Sequence, residues 1–151
     1  MKKAIVCQSV HHGNTLKIAE AMVAELDAVV VKPGELREKD IEKGDIVGFG
    51  SGIYAGRHHR SIISLVKDLP EGKGKKVFVF STSGWGKRGY NNSLKKLLSS
   101  KGYDVIDSFA CKGYDTFGPF KLIGGISKGK PDKKDIQSAK EFARKISPLL
   151  S

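Results

Sequence analysis

Apolar positions along this chain switch repeatedly between two periods. Residues 3–8 (KAIVCQ) form a short β-branched run, after which Leu16, Ala19, Met22, Val23 and Leu26 recur every three or four residues, the spacing of one helix face. AVVVK (28–32) predicts a second strand ended by Pro33 and Gly34, and the polar stretch ELREKDIEKG (35–44) predicts a surface connection into a third strand, DIVGFG (45–50). Ile62, Leu65, Val66 and Leu69 mark a helix that stops before Pro70, followed by the near-continuous apolar strand KKVFVFST (75–82), which should be buried on both faces. Leu94, Leu97 and Leu98 predict a third helix ended by Lys101 and Gly102. YDVIDSFAC (103–111) is a fifth strand whose less regular alternation suits a sheet edge. After a loop of twenty residues (112–131) with five glycines, Pro131 and Asp132 signal a last helix with apolar positions Ile136, Ala139, Ala143, Ile146 and Leu150.

Apolar strands alternating with amphipathic helices predict an α/β fold, a parallel sheet covered on both faces and joined by right-handed crossovers. With 151 residues, one domain spanning 1–151 is expected. In such a sheet a ligand binds beyond the carboxyl ends of the strands, which directs attention to loops 9–15, 51–60, 82–90 and 112–131. The last is long enough to suggest a functional role. The first sets Gly13 before Asn14 and Thr15 at a helix start, where free N–H groups favour an anion such as phosphate. The competing reading is a strand-to-helix turn that holds no ligand.

HHGNT (11–15), directly after the first strand, resembles the phosphate loop of flavodoxins, T/S-x-T-G-x-T, with Gly13, Asn14 and Thr15 matching. GSGIYAGRHHRS (50–61) and STSGWGKRGYN (81–91) fall where that family places its two flavin-ring loops, and GGISKGKPDKKDIQSAKEFARKI (124–146) resembles the close of many flavodoxin-like chains. The resemblance implies a flavodoxin-like doubly wound sheet of five parallel strands in the order 2-1-3-4-5, with helices on both faces and FMN as cofactor. It implies FMN contacts at Val10, His11, His12, Gly13, Asn14 and Thr15, at Gly52, Ile53, Tyr54, Ala55 and Gly56, and at Thr82, Ser83, Gly84, Trp85 and Gly86. Tyr54 and Trp85 are candidates to stack on the flavin ring, or else anchors of their own loops. Val10 and His12 depart from the family pattern by replacing hydroxyl residues. Backbone N–H groups would then cradle the phosphate, with the two imidazoles able to add charge-assisted bonds when protonated.

Charge changes the picture of partners. Residues 1–75 hold 12 Lys/Arg against 10 Asp/Glu and residues 76–151 hold 15 against 6, so most of the net charge of +11 belongs to the second half. Flavodoxins are typically acidic and dock basic partners, so the resemblance combined with this charge implies redox partner proteins with acidic docking surfaces. A second possibility is a flavin-dependent oxidoreductase acting on a quinone, NADPH or another small molecule, in the manner of menaquinone-dependent protoporphyrinogen oxidase. Loop 112–131 would then face the substrate, and FGPFKLIGG (117–125) is its apolar segment. A third is a flavin-free basic binding module; nucleic acid is disfavoured because the lysines are scattered without interleaved aromatics. Arg57, His58, His59 and Arg60 form a basic knot where the second helix starts, either a solvated face or an attractor of anions.

Several chemistries are set aside. GFGSG (48–52) lies at the third strand rather than in the first strand–helix unit, which argues against a dinucleotide fingerprint. A phosphoaspartate receiver needs carboxylates where the chain has Cys7, Gln8, Phe49 and Gly50. Cys7 and Cys111 lack metal-ligand spacing and are expected to be buried apolar residues near strand ends. No catalytic residue or metal ligand is singled out. The short apolar run near the N-terminus fits neither a secretion signal nor a membrane span, so a cytoplasmic location is expected.

Overall fold

Five parallel strands in the order β2-β1-β3-β5-β6 make up the main sheet in the computed structural model, which describes residues 3–37, 41, 45–115, 120 and 123–150, with the side chain of His11 outside that description. The strands are β1 (Lys3–Gln8), β2 (Ala28–Val31), β3 (Ile46–Tyr54), β4 (Arg57–His58), β5 (Lys76–Ser83) and β6 (Asp104–Lys112). The main helices are α1 (Asn14–Leu26), α2 (Arg60–Asp68), α3 (Asn92–Ser100) and α4 (Lys133–Ile146). The order of the five long strands is the expected one. The added element is β4, two residues paired antiparallel to β3.

β3 runs four residues beyond DIVGFG and turns back into β4. Ala55 and Gly56 both take positive φ, 50° and 80°, the combination of a two-residue hairpin turn that matches strand twist. The extension, SGIY, has no apolar run and leads into Ala55 and Gly56, so it reads as a loop in sequence. It is held as strand because Ser51 pairs with Gln8 on one side and Ser81 on the other. Glycines earlier in β3 make room for aromatic rings: a Cβ at Gly48 would lie 2.5 Å from the Phe78 ring, and one at Gly50 2.3 Å from the Phe80 ring. GFGSG therefore serves packing between β3 and β5.

Alternation along the strands feeds two cores. Ile5, Cys7, Phe78 and Phe80 pack beneath α1 and α4 with Ile18, Met22, Phe142 and Ile146. Val6, Phe49, Val77 and Val79 pack beneath α2 and α3 with Ile62, Val66, Leu94 and Leu98. β5 is buried on both faces from Val77 on, as expected of the central strand. The apolar stripe of α1 is shifted from the one read in sequence, since Leu16 is exposed while Ile18 is fully buried. The start of α4 is as expected: Asp132 Oδ1 accepts from Asp135 N at 3.0 Å and Asp135 Oδ2 accepts from Asp132 N at 2.8 Å, a reciprocal cap. Both cysteines are buried.

Candidate functional site

β1, β3 and β5 all end at the same edge of the sheet, and the loops leaving them meet there. The first turns sharply: His12 (φ 61°) and Gly13 (φ 65°) are both left-handed before α1 begins at Asn14. Within the turn Gly13 N–H donates to the Val10 carbonyl at 3.5 Å, and the positive end of α1 follows directly. A Cβ at Gly13 would meet nothing within 4 Å, so the backbone there faces open room. Ser9, absent from the sequence-based set, supports the turn by accepting from Leu16 N at 3.2 Å.

The side chains of this loop largely tie it to its neighbours. Thr15 Oγ1 and Thr82 Oγ1 share a buried hydrogen bond of 2.8 Å, joining the loop to the end of β5. Asn14 Nδ2 donates to the Tyr114 carbonyl at 2.8 Å, and the His12 ring lies 4.4 Å from the Tyr114 ring at an interplanar angle of 34°. Val10, 43% exposed, presents its apolar side chain outward. An anion here would rest on backbone and helix end rather than on Asn14 or Thr15 side chains. The open turn at Gly13 fits a phosphate in that way.

A cleft of about 370 Å³, counting its open mouth, runs from this turn across the strand ends. Val10, Asn14, Thr15, Gly52, Ile53, Tyr54, Thr82 and Ser83 line it together with Gly113, Tyr114 and Asp115 from the end of β6. The Tyr54 hydroxyl lies 3.3 Å from where a Gly52 Cβ would be, which places the ring along the cleft wall. Burial, and then the Asp115 charge, raise the Tyr54 phenol above its ordinary range, so it stays protonated at neutral pH and can donate a hydrogen bond.

The remaining expected contacts lie elsewhere. Ala55 and Gly56 occupy the hairpin turn. Gly84 sits under the segment after β6: its N–H donates to Asp115 Oδ2 at 3.3 Å, its carbonyl accepts from Ser127 Oγ at 2.6 Å, and a Cβ on it would strike Ile126 Cδ1 at 2.2 Å. Gly86 packs on Lys112, with its N–H held by Ser83 Oγ at 2.7 Å. Trp85 is 57% exposed and meets Phe120 edge-on, with centroids 5.9 Å apart. Trp85 is thus a surface residue beside the last loop, outside the cleft lining. Of FGPFKLIGG, residues 117–119, 121 and 122 lie outside the described residues, as does His11's side chain.

The described part of the last loop folds back on itself, with Tyr114 N donating to Lys130 O and Asp115 paired with Ile126 through both backbone bonds. That fold-back brings Gly113, Tyr114 and Asp115 into the cleft. The signal for them was positional, since GYD follows directly on the carboxyl end of β6.

The basic knot divides in three. His58 is buried, and its Nε2 lies 2.9 Å from the Phe80 carbonyl, which can only accept, so Nε2 carries the proton. Burial pushes its pKa down to about 4, leaving it neutral at pH 7. His59 caps α2: its Nδ1 accepts from Ser61 N at 3.1 Å, its own N–H donates to Ser51 Oγ at 2.8 Å, and burial then Arg60 lower its pKa. Only Arg57 and Arg60 remain as cations at pH 7. Among the described residues neither pairs with a carboxylate, and no group of three metal-ligating side chains occurs.

A model of the flavodoxin domain matches residues 5–117. An uncharacterized protein of Methanocaldococcus jannaschii is 43% identical over 148 residues, covering 97% of this chain and 98% of its own. Among solved structures, a flavodoxin from the domain Archaea superposes with a TM-score of 0.70 at 17% identity, covering 99% of both chains. The two-electron reduced flavodoxin of Megasphaera elsdenii superposes with a TM-score of 0.58 at 20% identity, covering 94% of this chain and 98% of its own.

Proposed function

This chain belongs to the flavodoxin family, and on that premise we propose that it binds FMN and passes electrons between partner proteins. The observation that carries this reading is the open left-handed turn at His12–Gly13, set at the head of α1 and flanked by Val10, Asn14 and Thr15, which line a cleft with the ends of β3, β5 and β6. Backbone donors of the turn would take the phosphate, while Thr82, Ser83 and the Gly52–Tyr54 stretch would meet the polar body of the cofactor. Tyr54 supplies an aromatic wall and a protonated hydroxyl. Bound flavin supplies one- and two-electron chemistry; the protein's share is to hold it, exclude water and set the electrostatics around it.

Charge supports partners with acidic docking surfaces, since a net +11 steers oppositely charged proteins toward the molecule. No helix among the described residues is long and apolar enough to cross a membrane. A second reading, a flavin-dependent oxidoreductase acting on a small molecule, is favoured by the arginine-lined groove that adjoins Tyr54. Titrating the purified chain with FMN while following flavin fluorescence and the visible spectrum tests the shared premise. Saturable one-to-one binding supports both readings; its absence refutes both and leaves a flavin-free binding module. Turnover with NADPH or a quinone would then select the enzyme over the carrier.

A further inference from the structure

We propose that the groove bounded by Val10, Tyr54, β4 and the first turn of α2 is a binding site for an organic anion with an apolar body. The groove is distinct from the cleft and wider, about 1040 Å³ counting its open mouth, and the two share Val10 and Tyr54. Three features fit this class of ligand. Val10, Tyr54 and Ile63 give apolar walls, with Val10 outward-facing and free to cover a ligand's apolar body. Arg57 and Arg60 line the same groove, and among the described residues neither is neutralised by a carboxylate. Guanidinium groups present planar forks suited to carboxylate, sulfonate or phosphate oxygens.

The placement of these cations runs against what the fold alone would favour. Arg60 opens α2, where the helix's positive end disfavours a basic residue. The same end favours an anion, so helix and arginines act together on a ligand. The scaffold is fixed: Arg57 is held in β4 by pairing with Tyr54, and Arg60 follows a cap anchored on Ser51. His58, buried and neutral, lines the groove without adding charge, which leaves the arginines as the anion-selective element.

Only the groove's place beside a flavin rests on the proposed function; anion binding there does not.

The test is fluorescence titration of the full chain with 1-anilinonaphthalene-8-sulfonate, an apolar body carrying one sulfonate, with and without FMN. Variants are R57Q/R60Q and, as an equal-charge control on α4 in the layer across the sheet, K134Q/K140Q, each shown to melt within about 2 °C of the parent. The expected result is saturable one-to-one binding that weakens about tenfold in R57Q/R60Q, the scale of lost charge-assisted contacts. K134Q/K140Q should change it less than about twofold, because exposed charges across the sheet are screened, and so should saturating FMN, because the groove and the cleft have only the Val10 and Tyr54 walls in common. Equal weakening in both variants would overturn the proposal by showing a general field effect. So would unsaturable binding, or stoichiometric displacement by FMN, which would make the groove part of the flavin cleft. Arginine-dependent probe binding by a chain that takes no FMN would uphold the groove and refute the flavin reading.

Discussion

Gly50→Ala tests whether the middle of β3 is shaped by the Phe80 ring of its neighbour β5. The new methyl would sit 2.3–2.5 Å from three atoms of the Phe80 ring, all within the buried core between β3, β5 and the α1/α4 layer. Three close ring atoms mean that no small slide relieves the overlap; the ring must tilt and open space elsewhere. Overpacking of this kind costs about 2–3 kcal/mol, which in a domain of this size lowers Tm by roughly 5–10 °C. Phe80→Leu alone should cost about 1–2 kcal/mol through lost volume. Combined, the two changes should cost less than their sum by at least about 1 kcal/mol, because leucine leaves room for the methyl. Thermal melts and urea titrations of the four proteins measure the cycle. Additive losses, or a Gly50→Ala variant that melts with the parent, would refute the packing account of GFGSG.

Thr15→Val should cost about 1–2 kcal/mol in urea titration by stranding the buried Thr82 hydroxyl, and Thr15→Val/Thr82→Val should recover part of it. His58 imposes a pH dependence: unfolded it titrates near 6.5, folded near 4, so below pH 6.5 the unfolded chain binds a proton that the folded one does not. Its contribution is full above pH 6.5 and falls by at most about 3 kcal/mol by pH 4; His58→Gln should flatten that slope, and an unchanged slope would contradict its burial. Burial pushes the Cys7 and Cys111 thiols up to about 12, so iodoacetamide at pH 8 should spare both in the native chain and label both in urea.

Elements built from long apolar periodicity were legible in the sequence. Strand 75–82 and the helices holding Ile62 and Leu94 lie where the pattern put them, because burial dictates both periodicity and structure. What escaped was structure carried by other means. Ser51 is strand through pairing on both sides, Gly52 through β5 and Ile53 and Tyr54 through β4, although the stretch has no apolar run. β4 exists because Ala55 and Gly56 adopt left-handed φ, and an alanine gives no sign of that. His58 and His59 look alike as letters, yet a hydrogen bond to a carbonyl buries one while the other caps a helix. The turn into α1 was readable from Gly13 and its position after β1. The commitment of Asn14 to Tyr114 was not, because it depends on a segment a hundred residues away folding back onto the strand ends.

On the proposed function, the turn at His12–Gly13 and the cleft beside it hold FMN. Substituting Gly13 tests it most directly, since Gly13→Val adds a side chain where space is open but φ is +65°, closing the turn toward an anion and straining the backbone. Fluorescence titration should show the parent binding FMN one-to-one, and a Gly13→Val chain with native circular dichroism losing at least about tenfold in affinity, roughly the 1.4 kcal/mol of one lost anion contact. Equal FMN affinity in the two folded proteins, or no binding by the parent, would contradict the account.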